Sequence, residues 1–346
     1  MELNNKTLEE WLEAAPTYEF PNQGRVNYAL RYKSIKEHLN NEIHPLVTPG
    51  AMIRDGGFLT DHGPEHIKTV INRASRLVSS RSCELTGYEV YLLLTAIHFH
   101  DVGNILGRIR HEINSREIMK HLGLKAGNDS PEKRWIHSIA QAHGGEPKNK
   151  IDLLPIEQPI MGQKVRVQLL AAILKFADEL ADDNTRAARY LLEAGMLPQE
   201  SEVFHKFAQS LHSVTIDTEG REVKLDFELD DEAATRTYGK GDKQVYLLEE
   251  IFERTLKAHL ERMYCMRFMA PYIRIDRISV LIEFYDENFE KIIDPIGYRL
   301  EEKGYPSKPA GGIYDLCPVD LKGPDEHINW TGEILKEYIE KQMSSR

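Results

Sequence analysis

The stretch Tyr88–Val102 reads YEVYLLLTAIHFHDV, and the reading of these residues decides the architecture. Apolar side chains fall on nearly every side of its helical projection, the mark of a helix buried at the centre of a bundle. Val90, Leu94 and Ile97 form one stripe, and Asp101 arrives where that stripe calls for a further apolar residue. His100 stands beside it. A buried carboxylate is unstable without a cation or hydrogen-bond donors, so Asp101 requires a partner elsewhere in the chain.

On either side, segments with one apolar face are available to surround this core. A candidate helix spans Asn27 to His44 and ends at Pro45. Gly63–Pro64 opens another, in which Ile67, Val70, Ile71, Ala74, Leu77 and Val78 keep the 3.6-residue period. His66, four residues before Val70, lies over the same stripe. His111 to Leu122 forms a short helix that stops at Gly123, and Ser130–Pro131 caps one that halts at Gly144–Gly145. A Pro-punctuated connector, EPKNKIDLLPIEQPIMG, leads to a helix from about Lys164 to Asp182.

The pattern changes after residue 200. HSVTID (212–217) and EVKLDFEL (222–229) alternate around a turn and predict a hairpin. A long amphipathic helix is expected over Asp242 to Met269, then a third strand through Ile278, Val280, Ile282 and Phe284. Residues 287–330 are rich in Pro and Gly, and a short helix follows Thr331. The expected fold is mainly α, with a helical extension over 1–57, a helical bundle over 58–195 and a small α+β appendage over 196–346.

Composition narrows the function. A formal net charge of −11 argues against an extended duplex nucleic acid as partner. No apolar run reaches the roughly 18 residues of a membrane span, and the first residues lack the basic start and apolar stretch of a secretory signal. Cys83, Cys265 and Cys317 are scattered, which disfavours a disulfide framework or a cysteine zinc site. These features predict a cytoplasmic protein.

Five helices each turn a histidine or aspartate toward one interior. His66 and His100–Asp101 are joined by His143, which continues Trp135, Ile136, Ile139 and Ala140, and by Asp178, which continues Val167, Leu170 and Leu174. His111 sits at the mouth of its helix. Mixed imidazole and carboxylate ligands suit first-row divalent metals. A single histidine on an apolar face is more often a hydrogen-bonded core residue, and His44, His98, His121, His137, His205, His212 and His259 take that reading.

The order His66 in EHIKTV, His100–Asp101 in FHDVGN and Asp178 in LKFADEL resembles the HD-domain phosphohydrolases. The likeness covers roughly residues 58–190 and extends to flanking residues, including Val70, Gly103 and the ADEL around Asp178. His111 in RHEINSREIM and His143 in IAQAHGG fall where two-metal members add ligands. The arrangement looks like the HD-GYP branch, but Gly-Gly-Glu-Pro follows His143 in place of the GYP segment.

The resemblance implies one or two divalent ions (Mn, Fe, Ni, Co, Mg or Zn) held by His66, His100, Asp101 and Asp178, with Asp101 bridging where there are two. His111 and His143 would complete a second ion's ligands or protonate the leaving oxygen. Arg110, beside His111, is the favoured cation for transition-state charge, with Lys68, Arg73, Arg108 and Arg186 as further candidates. His62, one turn before His66, would line the site, and Glu179 and Asp183 would orient ligands or form an ordinary acidic face. The implied activity is hydrolysis of a nucleotide or small phosphate ester, as a nucleoside triphosphatase or as a phosphodiesterase on cyclic or short oligonucleotides. A nucleotide-sensing module docking a partner through its C-terminal region, a single-strand nuclease and a scaffold with a structural metal stay open. The long helix is also a candidate seam for a homo-oligomer.

Overall fold

The computed structural model describes residues 6–48, 62–80, 83–121, 130–144, 148–183, 197–302, 312–325 and 327–344. The chain divides into two units, Met1–Ala181 with Tyr264–Arg274, and Asp182–Met263 with Ile275–Arg346. The first is helical and the second mixed, so the protein is mainly α with a small α+β part. No helix among the described residues is long and apolar enough to cross a membrane.

In the first unit, Thr7 and Glu10 form a capping box that starts α1 (Leu8–Ala14). Asn27 caps α2 (Tyr28–His38), which continues as a π turn (Leu39–Ile43) and a 3-10 turn (His44–Leu46). The helix expected as far as His44 therefore loosens at Leu39, because Pro45 lacks an N–H and crowds the carbonyl four residues before it. Pro64 begins α3 (Pro64–Val78), and Thr86 caps α4 (Gly87–Phe99), in which every residue is buried. Next come α5 (His111–His121) and α6 (Ser130–Gln141). A ribbon of β1 (Gln158–Ile160) and β2 (Gln163–Val165) precedes α7 (Val167–Glu179).

The ribbon lies partly where a helix from Lys164 was expected. Met161 and Gly162 both have positive φ, the backbone of a tight hairpin turn. The stops expected at Gly123 and Gly145 lie outside the described residues.

The core is α4, which packs against α1, α2, α3, α6 and α7. The buried carboxylates of this core are paired. Buried Glu132 of α6 accepts from Tyr88 Oη at 2.8 Å and from Tyr28 and Tyr91 at 3.4 Å, and pairs with Arg31 at 2.9 Å. Glu89 closes the capping box at the start of α4. The same carboxylate accepts from the Arg166 backbone N–H and Nε at 2.9 Å and from its Nη2 at 2.6 Å, just ahead of α7.

In the second unit, α8 (Glu202–Ser210) leads into β3 (Leu211–Asp217) and β4 (Glu222–Asp230), the expected hairpin. A short α9 (Asp231–Thr235) follows, then a ribbon of β5 (Thr237–Lys240) and β6 (Lys243–Tyr246). The long helix α10 starts only after it (Leu247–Met269), since Gly241 turns the chain at positive φ and commits residues 243–246 to strand pairing. It belongs to this unit through Met263.

β7 (Arg277–Tyr285) pairs parallel to β4, a connection that needs a crossover such as the one carrying α10. β8 (Ile296–Glu301) pairs antiparallel to β7 and completes the order β3–β4–β7–β8. Its alternating Ile296, Tyr298 and Leu300 are buried, a strand concealed within the Pro- and Gly-rich closing segment. Thr255 Oγ1 meets Tyr298 Oη at 2.7 Å and fastens α10 to this sheet. The unit ends in α11 (Ile313–Leu316) and α12 (Gly332–Ser344).

His44 shows how this interior treats a titratable group. It is buried, with Nε2 donating to the His98 carbonyl at 2.9 Å and Nδ1 2.9 Å from the Asn40 amide group. Burial pushes its pKa down to about 4. Between pH 6.5 and 4 the unfolded chain binds this proton and the folded chain does not, so stability falls as pH drops. The contribution lost over the window is roughly 3 kcal/mol. Urea unfolding at pH 7 and pH 4.5 should show a smaller pH effect in a His44→Asn variant, and parallel profiles would contradict the assignment.

Candidate metal centre

The bundle brings the ends of five segments together. His66 lies in the first turn of α3, and Asp178 is the penultimate residue of α7. His100 caps the C-terminus of α4 and Asp101 follows it, at the start of a 3-10 turn (Val102–Leu106). Asp101 therefore lies past the helix whose stripe it was expected to continue, although it is buried as that stripe required. His111 opens α5, and His143 sits two residues beyond α6.

Three imidazoles are fixed by one local device. The Nδ1–H of His100 donates to the Ile97 carbonyl at 2.7 Å, that of His111 to Arg108 at 2.9 Å, and that of His143 to Ala140 at 2.6 Å. In each case the acceptor is three residues earlier, so the ring folds back on its own turn. With Nδ1 donating, Nε2 carries the lone pair and faces the interior. His66 also presents Nε2 inward, while its buried Nδ1 has no hydrogen-bond partner.

Two clusters result, and they share one residue. In the first, His66 Nε2 and His100 Nε2 are 3.3 Å apart. Asp101 Oδ2 lies 3.4 and 3.2 Å from them, and Asp178 Oδ1 3.2 and 3.4 Å. In the second, His111 Nε2 and His143 Nε2 are 3.2 Å apart, with Asp101 Oδ1 3.4 and 3.6 Å away. The two oxygens of Asp101 thus serve different pairs of histidines.

Lone-pair atoms this close repel unless a proton or a cation lies between them. Two ligands about 2.1 Å from one ion, at tetrahedral or octahedral angles, lie about 3.0–3.4 Å apart, which all of these separations match except the slightly longer one from His143 to Asp101. The donor set fits a divalent metal, and this buried His/Asp cluster could hold one.

The electrostatics favour a cation. Burial alone would raise the pKa values of Asp101 and Asp178, but His100, with His62 at Asp101 and His66 at Asp178, holds both carboxyls well below their usual range. Burial opposes a charge on His100, yet the two aspartates keep its pKa well above the ordinary histidine value. Burial pushes His111 down, toward the neutral form that binds metal.

Gly103 permits the second cluster. A Cβ there would lie 1.8 Å from the His111 carbonyl oxygen and 2.7 Å from the Ser115 backbone nitrogen, so α5 rests directly on the turn after Asp101. Arg110 enters α5 at a φ of +60°, which aims the chain so that His111 meets Asp101. Asn104 Nδ2 donates to Asp101 Oδ1 at 3.2 Å.

Other candidates fall at different distances from this centre. His62 belongs to it, with Nδ1 2.7 Å from Asp101 Oδ2. Arg108 and Arg110 are exposed beside His111. Lys68 is exposed and pairs with Glu65, and Arg73 donates from Nε to the Leu180 carbonyl. Glu179 is half-buried next to Asp178, Asp183 lies in the second unit, and Arg186 lies outside the described residues. His44 and His98 are core residues, as their sequence reading had it, and their rings stack on each other.

Sequence reasoning missed Asn104, Glu112, Lys150 and Lys175. Lys175 alone carried a signal, as a charge inside the apolar run LLAAILKFADEL.

A Gly103→Ala substitution sets a methyl group against backbone on two sides and should lower stability by more than about 2 kcal/mol. Urea denaturation measures this, and a change under about 0.5 kcal/mol would show that α5 moves aside freely.

Comparison with the curated proteins and with the solved structures gives no match. A family model, HD-CE, matches residues 57–261, more than half of the chain and inclusive of every residue of both clusters. The domain and its buried His/Asp cluster fit an HD-like metal site, and the chain belongs to the HD-CE family.

Proposed function

We propose that the protein is a metal-dependent phosphohydrolase, acting on a nucleotide or other small phosphate ester at a two-ion centre. One observation carries the reading: the two carboxylate oxygens of Asp101 face two separate sets of inward-pointing imidazole nitrogens. His66, His100, Asp178 and Asp101 Oδ2 would hold one ion. His111, His143 and Asp101 Oδ1 would hold the other. Bound divalent ions supply a Lewis acid for a phosphoryl oxygen and lower the pKa of water.

The remaining roles belong to the chain. Asp101, held ionised and oriented by His62 and Asn104, keeps the two sets in register. Asp101 and Asp178 are the two carboxylates of the clusters, so a pair of divalent ions leaves a net positive centre suited to an anionic ester. With His111 and His143 committed to the second ion, half-buried His62 is the imidazole left to move a proton. Arg108 and Arg110 lie exposed beside His111, where an incoming phosphate could meet them.

Elemental analysis of the purified protein, paired with a Mn²⁺-supplemented panel of dNTPs, NTPs, cyclic dinucleotides and short single strands, tests this. Two ions per chain and turnover of at least one substrate are expected. Asp101→Ala should lose both ions and activity by at least about a thousandfold, whereas His143→Ala should keep one ion. A protein that takes up no stoichiometric metal and turns over nothing on the panel is not this hydrolase.

A further inference from the structure

The second cluster rests on short segments, since His143 stands in a turn beyond α6 and His111 at the first residue of α5. We propose that Lys150 is a positioning residue that holds these two histidines in register. The proposal rests on the two-ion reading above.

Lys150 begins a 3-10 turn (Lys150–Leu153), and its ammonium is buried. It donates to Glu112 Oε1 at 3.1 Å and to the Gly144 carbonyl at 2.8 Å. Glu112 is the residue after His111, and Gly144 the residue after His143. One ammonium therefore ties together the neighbours of both imidazoles without touching either ring. Lys175 of α7, also buried, donates to the His143 carbonyl at 2.9 Å.

A helix end leaves carbonyls unpaired, and here consecutive ones, at 143 and 144, are each taken by a charged donor. Removing the Lys150 charge would free the Gly144 carbonyl and leave the buried Glu112 carboxylate without its cation. The 3.2 Å approach of His111 Nε2 to His143 Nε2 then loses its brace. His66, His100 and Asp178 stand on α3, at the end of α4 and on α7, and make no bond to Lys150. The effect should fall on one ion alone.

The test reloads metal-free protein with Mn²⁺ and reads ions per chain by elemental analysis and stepwise affinities by titration calorimetry. Lys150→Met should keep the first ion and bind the second about 10- to 100-fold more weakly. Lys150→Arg should recover part of that loss. A Glu112→Gln, Lys150→Met double variant removes the stranded carboxylate, so it should regain thermal stability but not the second ion. Far-UV circular dichroism and a cooperative melt of the metal-free variants report folding.

Two ions bound by Lys150→Met with wild-type affinities would overturn the proposal. So would equal loss of both ions, or return of the second ion in the double variant, either of which marks a purely structural role. If the wild type loads one ion and His143→Ala loads identically, the two-ion reading itself fails and the positioning role falls with it.

Discussion

A carboxylate buried at the end of an apolar helix must be neutralised, and Asp101 imposes that demand on the whole first unit. Its two oxygens look in different directions, so four imidazoles and a second carboxylate converge from separate segments. The local oddities of the region follow from this. Gly103 is bare because α5 lies on it, and Arg110 takes a left-handed φ because α5 must enter at that angle. The 3-10 turn after Asp101 leaves room for both.

The bundle handles its other buried charges by the same rule. Glu132 is held by Arg31 and three tyrosine hydroxyls, Glu89 by Arg166, and Glu112 by Lys150. Each is a pairing between segments distant in sequence, and each carboxylate is buried. Such networks specify one arrangement of helices, since a slipped helix would strand a charge in an apolar interior. The His/Asp clusters differ, since among the described residues Asp101 and Asp178 are paired with histidines and with no lysine or arginine.

Much of the bundle was legible because apolar spacing is a local signal. His66 ahead of Val70, and Asp178 after Val167, Leu170 and Leu174, could be placed inward from periodicity alone. The end of α4 could not, since His100 folds back on Ile97 and ends the helix before Asp101, a matter of side-chain bonding rather than apolar pattern. Lys150 and Glu112 were invisible for another reason. A buried lysine looks like a surface one until the carboxylate that pairs with it is known. In the second unit, Asp242–Tyr246 read as helix because the residues after it are strongly helical, whereas Gly241 turns the chain and pairs this segment as a strand.

Glu89 and Arg166 stand at the opposite ends of α4 and α7 from the His/Asp clusters, yet they set the spacing there. α4 and α7 both start at that ion pair, and each is 13 residues long. At their far ends stand His100–Asp101 and Asp178, which meet across one cluster. The two helices behave as matched rulers read from a common zero. Adding or removing one residue in either would turn its terminal ligands by about 100° and shift them by about 1.5 Å. Helix length, which no single substitution alters, is therefore as much a part of this site as the side chains that converge on it.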